Sequence, residues 1–250
     1  MDDDVLLGVL KEAASAVRGA LDGIRDARRP GNRPGQYELD LVADAAALAV
    51  LHDAGLRVLS EESGLTGGDG GKGGVEQPLV VLDPVDGSTN ASIGLPWFST
   101  SLCVLDGAGP RVALVVNQAS GATYEAVRDR GALRDGLPIS PSGCTDIATA
   151  IIGVSGLPPR YPGWAQFRAM GSAALDHCSV ADGSLDGYLP VGTSTLHPWD
   201  YLGGMLVCLE AGAVVGELHG NELVVREDQR RSPVAAATGD LRDELMARLA

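Results

Sequence analysis

Leu79-Val80-Val81-Leu82-Asp83-Pro84-Val85-Asp86-Gly87-Ser88-Thr89-Asn90 decides how this chain reads. Four apolar residues open the stretch as a buried strand. Asp83-Pro84 then breaks it into a turn carrying two carboxylates three positions apart, a glycine and two hydroxyls. Carboxylates at a strand end suit a hard metal ion, and small residues beside them let backbone N–H groups reach a phosphate. Asp-Pro and Asp-Gly are also ordinary turn dipeptides, so the motif needs support from the rest of the chain.

Composition sets the outer limits. With 250 residues, 45% of them apolar, the chain can bury a sizeable core, and with only 4% aromatics that core must be built from Ala, Val, Leu and Ile. The formal net charge of −14 repels nucleic acid and anionic membranes, so neither is expected as a partner. A phosphate substrate would then need bound cations to invert the local charge. The four cysteines (Cys103, Cys144, Cys178, Cys208) form no C-x-x-C pair or zinc spacing, which suits a reduced, cytoplasmic protein. The acidic start, Met1-Asp2-Asp3-Asp4, is unlike a signal peptide, and no apolar run approaches a membrane span.

Upstream of the motif, apolar spacing predicts a helix over 3–29, with Arg25, Arg28 and Arg29 at its end. A second is expected over 38–54, with Asp44 inside the apolar stripe of Leu41, Leu48 and Leu51. A carboxylate there is costly unless it is paired, bound to metal or at the stripe's solvated edge. A short strand, 57–60, ends at Glu61-Glu62. Gly64 to Gly74 reads as a mobile loop and a candidate lid. It contains a literal G-x-G-x-x-G that leads towards a strand rather than opening a helix, so it is no dinucleotide fingerprint.

Downstream, strands at 97–105, 111–117 and 122–127 and a turn at 131–136 suggest an antiparallel meander. Pro138 to Gly143 divides the chain into an α+β half, 1–140, and an α/β half, 141–250, expected to form one compact unit. The second half alternates strand 147–154, helix 161–168, a helix from about 171, strand 185–189, helix 199–211, strands 213–218 and 234–237, and helix 240–249. His52 and His177 read as helix-surface residues, His219 as a turn residue and His197 as at most a neighbour of the site.

Asp44, Glu61, Asp83, Asp86 and Asp200 supply oxygen-only ligands, and four of them stand at a strand end or helix start, where side chains can converge. That donor set suits Mg²⁺ better than zinc. Two such ions would polarise a phosphate ester, generate the attacking hydroxide and steady the leaving alkoxide. Gly87 would let its own N–H and that of Ser88 reach phosphate oxygens. The motif acids are spaced D-x-x-D rather than the D-x-D of an aspartyl-phosphate route, and no C-x₅-R, H-E-x-x-H or G-x-S-x-G pattern supports another hydrolase chemistry.

Asp83 to Asn90 resembles the D-P-I/V/L-D-G-T/S-x-N signature of the inositol monophosphatase family of Mg²⁺-dependent, lithium-sensitive phosphatases. Trp199-Asp200 through Glu210-Ala211-Gly212 is similar to its second signature. Ser60-Glu61-Glu62-Ser63 resembles its G-E-E-S, and the 131–139 segment its G-G-A…N-G-x-P-I. The resemblance spans nearly the whole chain. It implies a layered αβαβα sandwich, an α+β or α/β fold of the sugar-phosphatase type, assembled as a homodimer.

It also implies roles. Glu61, Asp83 and the Val85 carbonyl would hold a first Mg²⁺, Asp83, Asp86 and Asp200 a second, and Glu61 would share a weak third. Ser88 would pair with Asp44 to activate water. Asp86, Gly87, Ser88 and Asp200, with Gly171, Ser172 and Ala173 of the family-like Met170-Gly171-Ser172-Ala173-Ala174 stretch, would bind substrate. Three departures bear on substrate: the 188–198 segment carries none of the acid that inositol-selective members place there, Ala91 replaces an aromatic, and the glycine-rich loop is long. The expectation is a phosphomonoesterase for a small inositol-phosphate-like polyol or sugar phosphate. The alternatives are a histidinol-phosphate or fructose-1,6-bisphosphate phosphatase, or a non-catalytic phosphate-ligand binder.

Overall fold

In a computed structural model describing residues 1–68 and 77–249, β3 (Leu79–Asp86) runs through the middle of the protein, buried along its length. Its alternate side chains serve two cores. Val80 and Leu82 pack towards helices α1 (Asp3–Asp22) and α2 (Glu38–Asp53), and Leu79 and Val81 face the opposite way. That period-two division makes the strand read as a continuous apolar run.

Around β3 lies an eight-stranded sheet. β1 (Arg57–Ser60) is parallel to it, and β2 (Gly64–Thr66) pairs antiparallel with β1. After the short helix α3 (Ser88–Ile93), β4 (Ser99–Asp106), β5 (Gly109–Asn117) and β6 (Thr123–Val127) follow as the expected meander, which β7 (Ala132–Arg134), in place of part of the turn expected at 131–136, and β8 (Leu137–Pro138) extend. A second, five-stranded sheet comprises β9 (Ile151–Ser155), β10 (Gln166–Arg168), β11 (Gly187–Pro190), β12 (Val214–Glu217) and β13 (Pro233–Ala236), ordered β10-β9-β11-β13-β12. Helices α4 (Ala173–Ala181) and α5 (Pro198–Ala211) fill the space between the sheets, and α6 (Gly239–Leu249) covers the outer face of the second. The layers run α, β, α, β, α, as the family resemblance implies.

Three local expectations are corrected. α1 ends at Asp22, because the N–H of Gly23 turns back to the Ala20 carbonyl at 3.3 Å, so Arg25, Arg28 and Arg29 lie beyond the helix. No helix forms over 161–168. Trp164 is buried there while Tyr161 and Phe167 are exposed, and 166–168 joins the sheet edge beside β9. Gly64–Thr66 is a strand rather than loop, and the remainder of the candidate lid falls mostly on residues 69–76, outside the described residues.

Candidate active site

The functional part of β3 is a break in its register. Asp83 pairs with Ser101 and Asp86 with Ser99, so β3 spends one residue more than β4 between these positions. Pro84 has no N–H to give to a ladder, and its carbonyl accepts from the Thr100 hydroxyl at 2.8 Å. The Val85 N–H donates to Asp83 Oδ1 at 3.0 Å. Gly87 follows at φ +90°, where a Cβ would stand 2.9 Å from the Gly171 carbonyl oxygen. Only glycine meets both conditions.

This bulge places Asp83 beside two acids from distant parts of the chain. Carboxylate oxygens of Glu61, Asp83 and Asp200 lie within 4.8 Å of one another. Glu61 is carried past the end of β1, its N–H bonded to the Leu82 carbonyl at 3.1 Å. Asp200 sits in the first turn of α5, which Pro198 starts, and its Oδ2 accepts the His197 N–H at 2.8 Å. Burial and mutual repulsion push Glu61 up to about 7 and hold Asp83 and Asp200 well above the carboxylate range. Carboxylate oxygens so close, none of them paired directly with an Arg or Lys side chain among the described residues, form a donor set that fits a hard divalent ion.

Asp86, close enough to these acids to raise them further, is held from the side of α4. Its Oδ2 accepts from the Ser172 hydroxyl at 2.5 Å and the Ala174 N–H at 2.8 Å, and its Oδ1 from the Ala173 N–H at 3.2 Å. Burial raises it to about 6, against the pull of these donors. Asn90 Nδ2 donates to the carbonyls of Met170 and Trp97, both at 2.7 Å. The motif therefore grips the Met170–Ala174 stretch from two sides, and Gly171, Ser172 and Ala173 stand next to the acids.

Asp44 is not at the cavity. It is buried within α2, and its two carboxylate oxygens accept hydrogen bonds from the hydroxyls of Ser60 and Ser63. One helical turn earlier, Asp40 lines the cavity together with Glu61, Glu62 and Ser88. Asp40 Oδ2 accepts the Tyr37 N–H at 2.8 Å, and burial raises its pKa to about 7. The expected partnership of Ser88 with Asp44 is thus corrected to a neighbourhood of Ser88 and Asp40. Asp44 instead braces the Ser60–Ser63 turn that presents Glu61. An i, i+4 acid at the helix start was the only signal for Asp40 in the sequence.

The cavity, about 330 Å³, is completed by Arg33, Pro34, Gly35, Gln36, His197, Trp199 and Asp228. Arg33 Nη2 donates to Glu62 Oε2 at 2.8 Å and to the Glu61 carbonyl at 3.1 Å, fixing the Glu-Glu turn. Pro190 to Thr195, from the segment expected to choose the substrate, line a different cavity of about 170 Å³ with Pro159, Leu218, His219 and Ser232. His177 is a further correction. It is fully buried rather than on a helix surface, with Nδ1 against the Ala173 carbonyl at 2.8 Å, and burial pushes its pKa down to about 4.

A five-layer sandwich whose central bulge gathers acids around a polar cavity is the architecture of a phosphoric monoester hydrolase. The chain belongs to the inositol monophosphatase family, whose model matches residues 5–250. It is 32% identical to a fructose-1,6-bisphosphatase/inositol-1-monophosphatase of Archaeoglobus fulgidus over 259 aligned residues, 98% of each chain. It is 31% identical to Nus factor SuhB of Escherichia coli over 222 residues, 81% of this chain and 82% of that one. Among solved structures, inositol monophosphatase from Anabaena superposes with a TM-score of 0.80 at 25% identity, covering 98% of this chain and 95% of that one. Among the described residues no helix is long and apolar enough to cross a membrane.

Proposed function

We propose that this phosphatase is Mg²⁺-dependent and hydrolyses a small polyol or sugar monophosphate of the inositol 1-phosphate kind. The observation that carries the proposal is the convergence of Glu61, Asp83 and Asp200 within 4.8 Å, with Glu61 lining a polar cavity that also holds Ser88 and Asp40. Glu61, Asp83 and Asp200, joined by the Val85 carbonyl and by Asp86, would hold two to three ions. Bound there, Mg²⁺ would polarise the phosphate and make water acidic enough to attack at neutral pH.

The chain's own groups do the rest. The first amides of α3, Ser88 among them, have no intrahelical carbonyl to bond and are available to phosphate oxygens, with Gly87 leaving the approach open. The Ser88 hydroxyl orients the attacking water, and Asp40, raised to about 7, accepts its proton. Asp86 fixes the start of α4 and with it Gly171, Ser172 and Ala173, the stretch that the resemblance assigns to the substrate. Inhibition by lithium, a cytoplasmic setting and a homodimeric assembly belong to the same proposal, by resemblance to the family.

Phosphate release from myo-inositol 1-phosphate, fructose 1,6-bisphosphate, histidinol phosphate and adenosine 3′,5′-bisphosphate, with and without Mg²⁺, tests it. Preference for inositol 1-phosphate that vanishes without Mg²⁺ is expected. The relative named for both activities makes fructose 1,6-bisphosphate the runner-up. Turnover that ignores Mg²⁺, or a preference for the adenosine compound, would overturn the proposal.

A further inference from the structure

The 188–198 segment brings His197 but no carboxylate to the cavity wall, and a carboxylate from elsewhere stands beside it. Asp228 lies on the stretch between β12 and β13 and lines the same cavity as Glu61, Ser88 and Asp40. Its Oδ1 is hydrogen-bonded to His197 Nδ1. The His197 ring lies flat on Trp199, with centroids 4.7 Å apart and 6° between the planes. The backbone N–H of the same histidine holds Asp200 Oδ2 at 2.8 Å. Asp228 is therefore seated on the helix start that carries Asp200, through one clamped imidazole.

Asp228 Oδ2 has no hydrogen-bond partner among the described residues, and the side chain is 57% exposed at the cavity wall. An ionised carboxylate is an acceptor only. Hydroxyls satisfy it, whereas a second phosphate beside it would meet like charge.

We propose that Asp228 is the specificity-determining residue for the alcohol part of the substrate. Its free oxygen accepts hydrogen bonds from ring hydroxyls of a polyol phosphate, and His197 is the positioning residue that aims it. The inference rests on the polyol-phosphate reading above and adds to it the group that recognises the polyol. It also favours a neutral ring over a bisphosphate at this wall. Acid recognition is thereby supplied from a residue 28 positions after Asp200 rather than from the segment before Trp199.

The experiment compares wild type, Asp228→Asn and His197→Phe in kcat and KM, using myo-inositol 1-phosphate and p-nitrophenyl phosphate, which has no ring hydroxyl, and adds a Mg²⁺ titration. Asn keeps the shape and loses the charge, while Phe keeps the stack on Trp199 and loses the bond to Asp228. For Asp228→Asn, the kcat/KM ratio of inositol 1-phosphate to p-nitrophenyl phosphate should fall about tenfold, with the loss in KM for the polyol. His197→Phe should move the same ratio in the same direction. An unchanged ratio overturns the inference. Equal losses on both substrates make Asp228 a support for Asp200, and a shifted Mg²⁺ requirement makes it a metal ligand; either result also overturns it. Wild type that cleaves p-nitrophenyl phosphate but not inositol 1-phosphate removes the polyol reading itself, before any variant is compared, and the inference with it.

Discussion

Asp44 accepts a hydrogen bond from the Ser60 hydroxyl, and this tie turns it away from the cavity that Asp40 faces one helical turn earlier. The two acids are therefore expected to fail differently. Asp40→Asn should lower kcat by about a hundredfold or more, because a proton acceptor is lost, and leave thermal stability nearly unchanged. Asp44→Asn should cost about 1–3 kcal/mol of unfolding free energy by unpairing the Ser60–Ser63 turn. Steady-state kinetics and urea unfolding of the two variants check this, and the reverse pattern would hand the proton to Asp44.

Asp83 sets chemistry against stability. Its folded pKa lies well above the carboxylate range, because burial and the neighbouring acids oppose its charge. Stability from such a group is complete below its unfolded pKa of about 4 and is lost as pH rises through the folded value. The metal-free protein should thus melt lower at pH 7 than the same protein with Mg²⁺. Asp83→Asn should raise the metal-free melting temperature while abolishing Mg²⁺-dependent turnover. A melting curve indifferent to Mg²⁺ would count against Asp83 as a ligand.

His177 has the opposite sign. Its pKa is pushed down to about 4 by burial, with its Nδ1 already bonded to Ala173. Between the unfolded value near 6.5 and this folded value, the unfolded chain binds the extra proton. Stability is therefore full above about pH 6.5 and falls, by about 3 kcal/mol, as pH drops to about 4. Comparing urea unfolding of wild type and His177→Gln across that window isolates the contribution. The gap between their pH profiles should close steadily towards pH 4.

Gly87→Ala should be damaging twice over. Its φ of +90° strains any other residue, and the new Cβ would stand 2.9 Å from the Gly171 carbonyl. A loss of about 2 kcal/mol or more is expected, together with reduced turnover as the Met170–Ala174 stretch shifts. Gly136→Ala, also at positive φ (+78°) but with nothing within 4 Å of a Cβ, serves as the control for strain alone.

How much of this was legible in the sequence follows from the range of the interactions involved. The apolar run of β3 and the Pro198 start of α5 are local, and each came through because spacing and backbone chemistry act within a few residues. So did the meander, whose strands follow one another with short turns. The turn expected at Asp83-Pro84 is instead a bulge, with β3 continuing to Asp86. The helix expected over 161–168 failed because Trp164 is drawn into the core under the second sheet and the flanking residues follow the sheet edge.

Asp40 and Asp228 mark where local reading ends. Asp40 and Asp44 share one face of α2, and periodicity assigns a face without saying which turn of the helix ends beside the cavity. Packing of α2 over β1 and β3 decides that, by bringing Ser60 under Asp44. Likewise the acid-free segment before Trp199 was expected to decide the substrate. Its Pro190–Thr195 part turns into another cavity, and Asp228 occupies the wall because His197, stacked on Trp199, holds it there. The acids of the motif and their spacing were set by short-range pattern. Which acids line the cavity with Ser88 was set by long-range packing, since side chains far apart in the chain share a cavity only after the layers close.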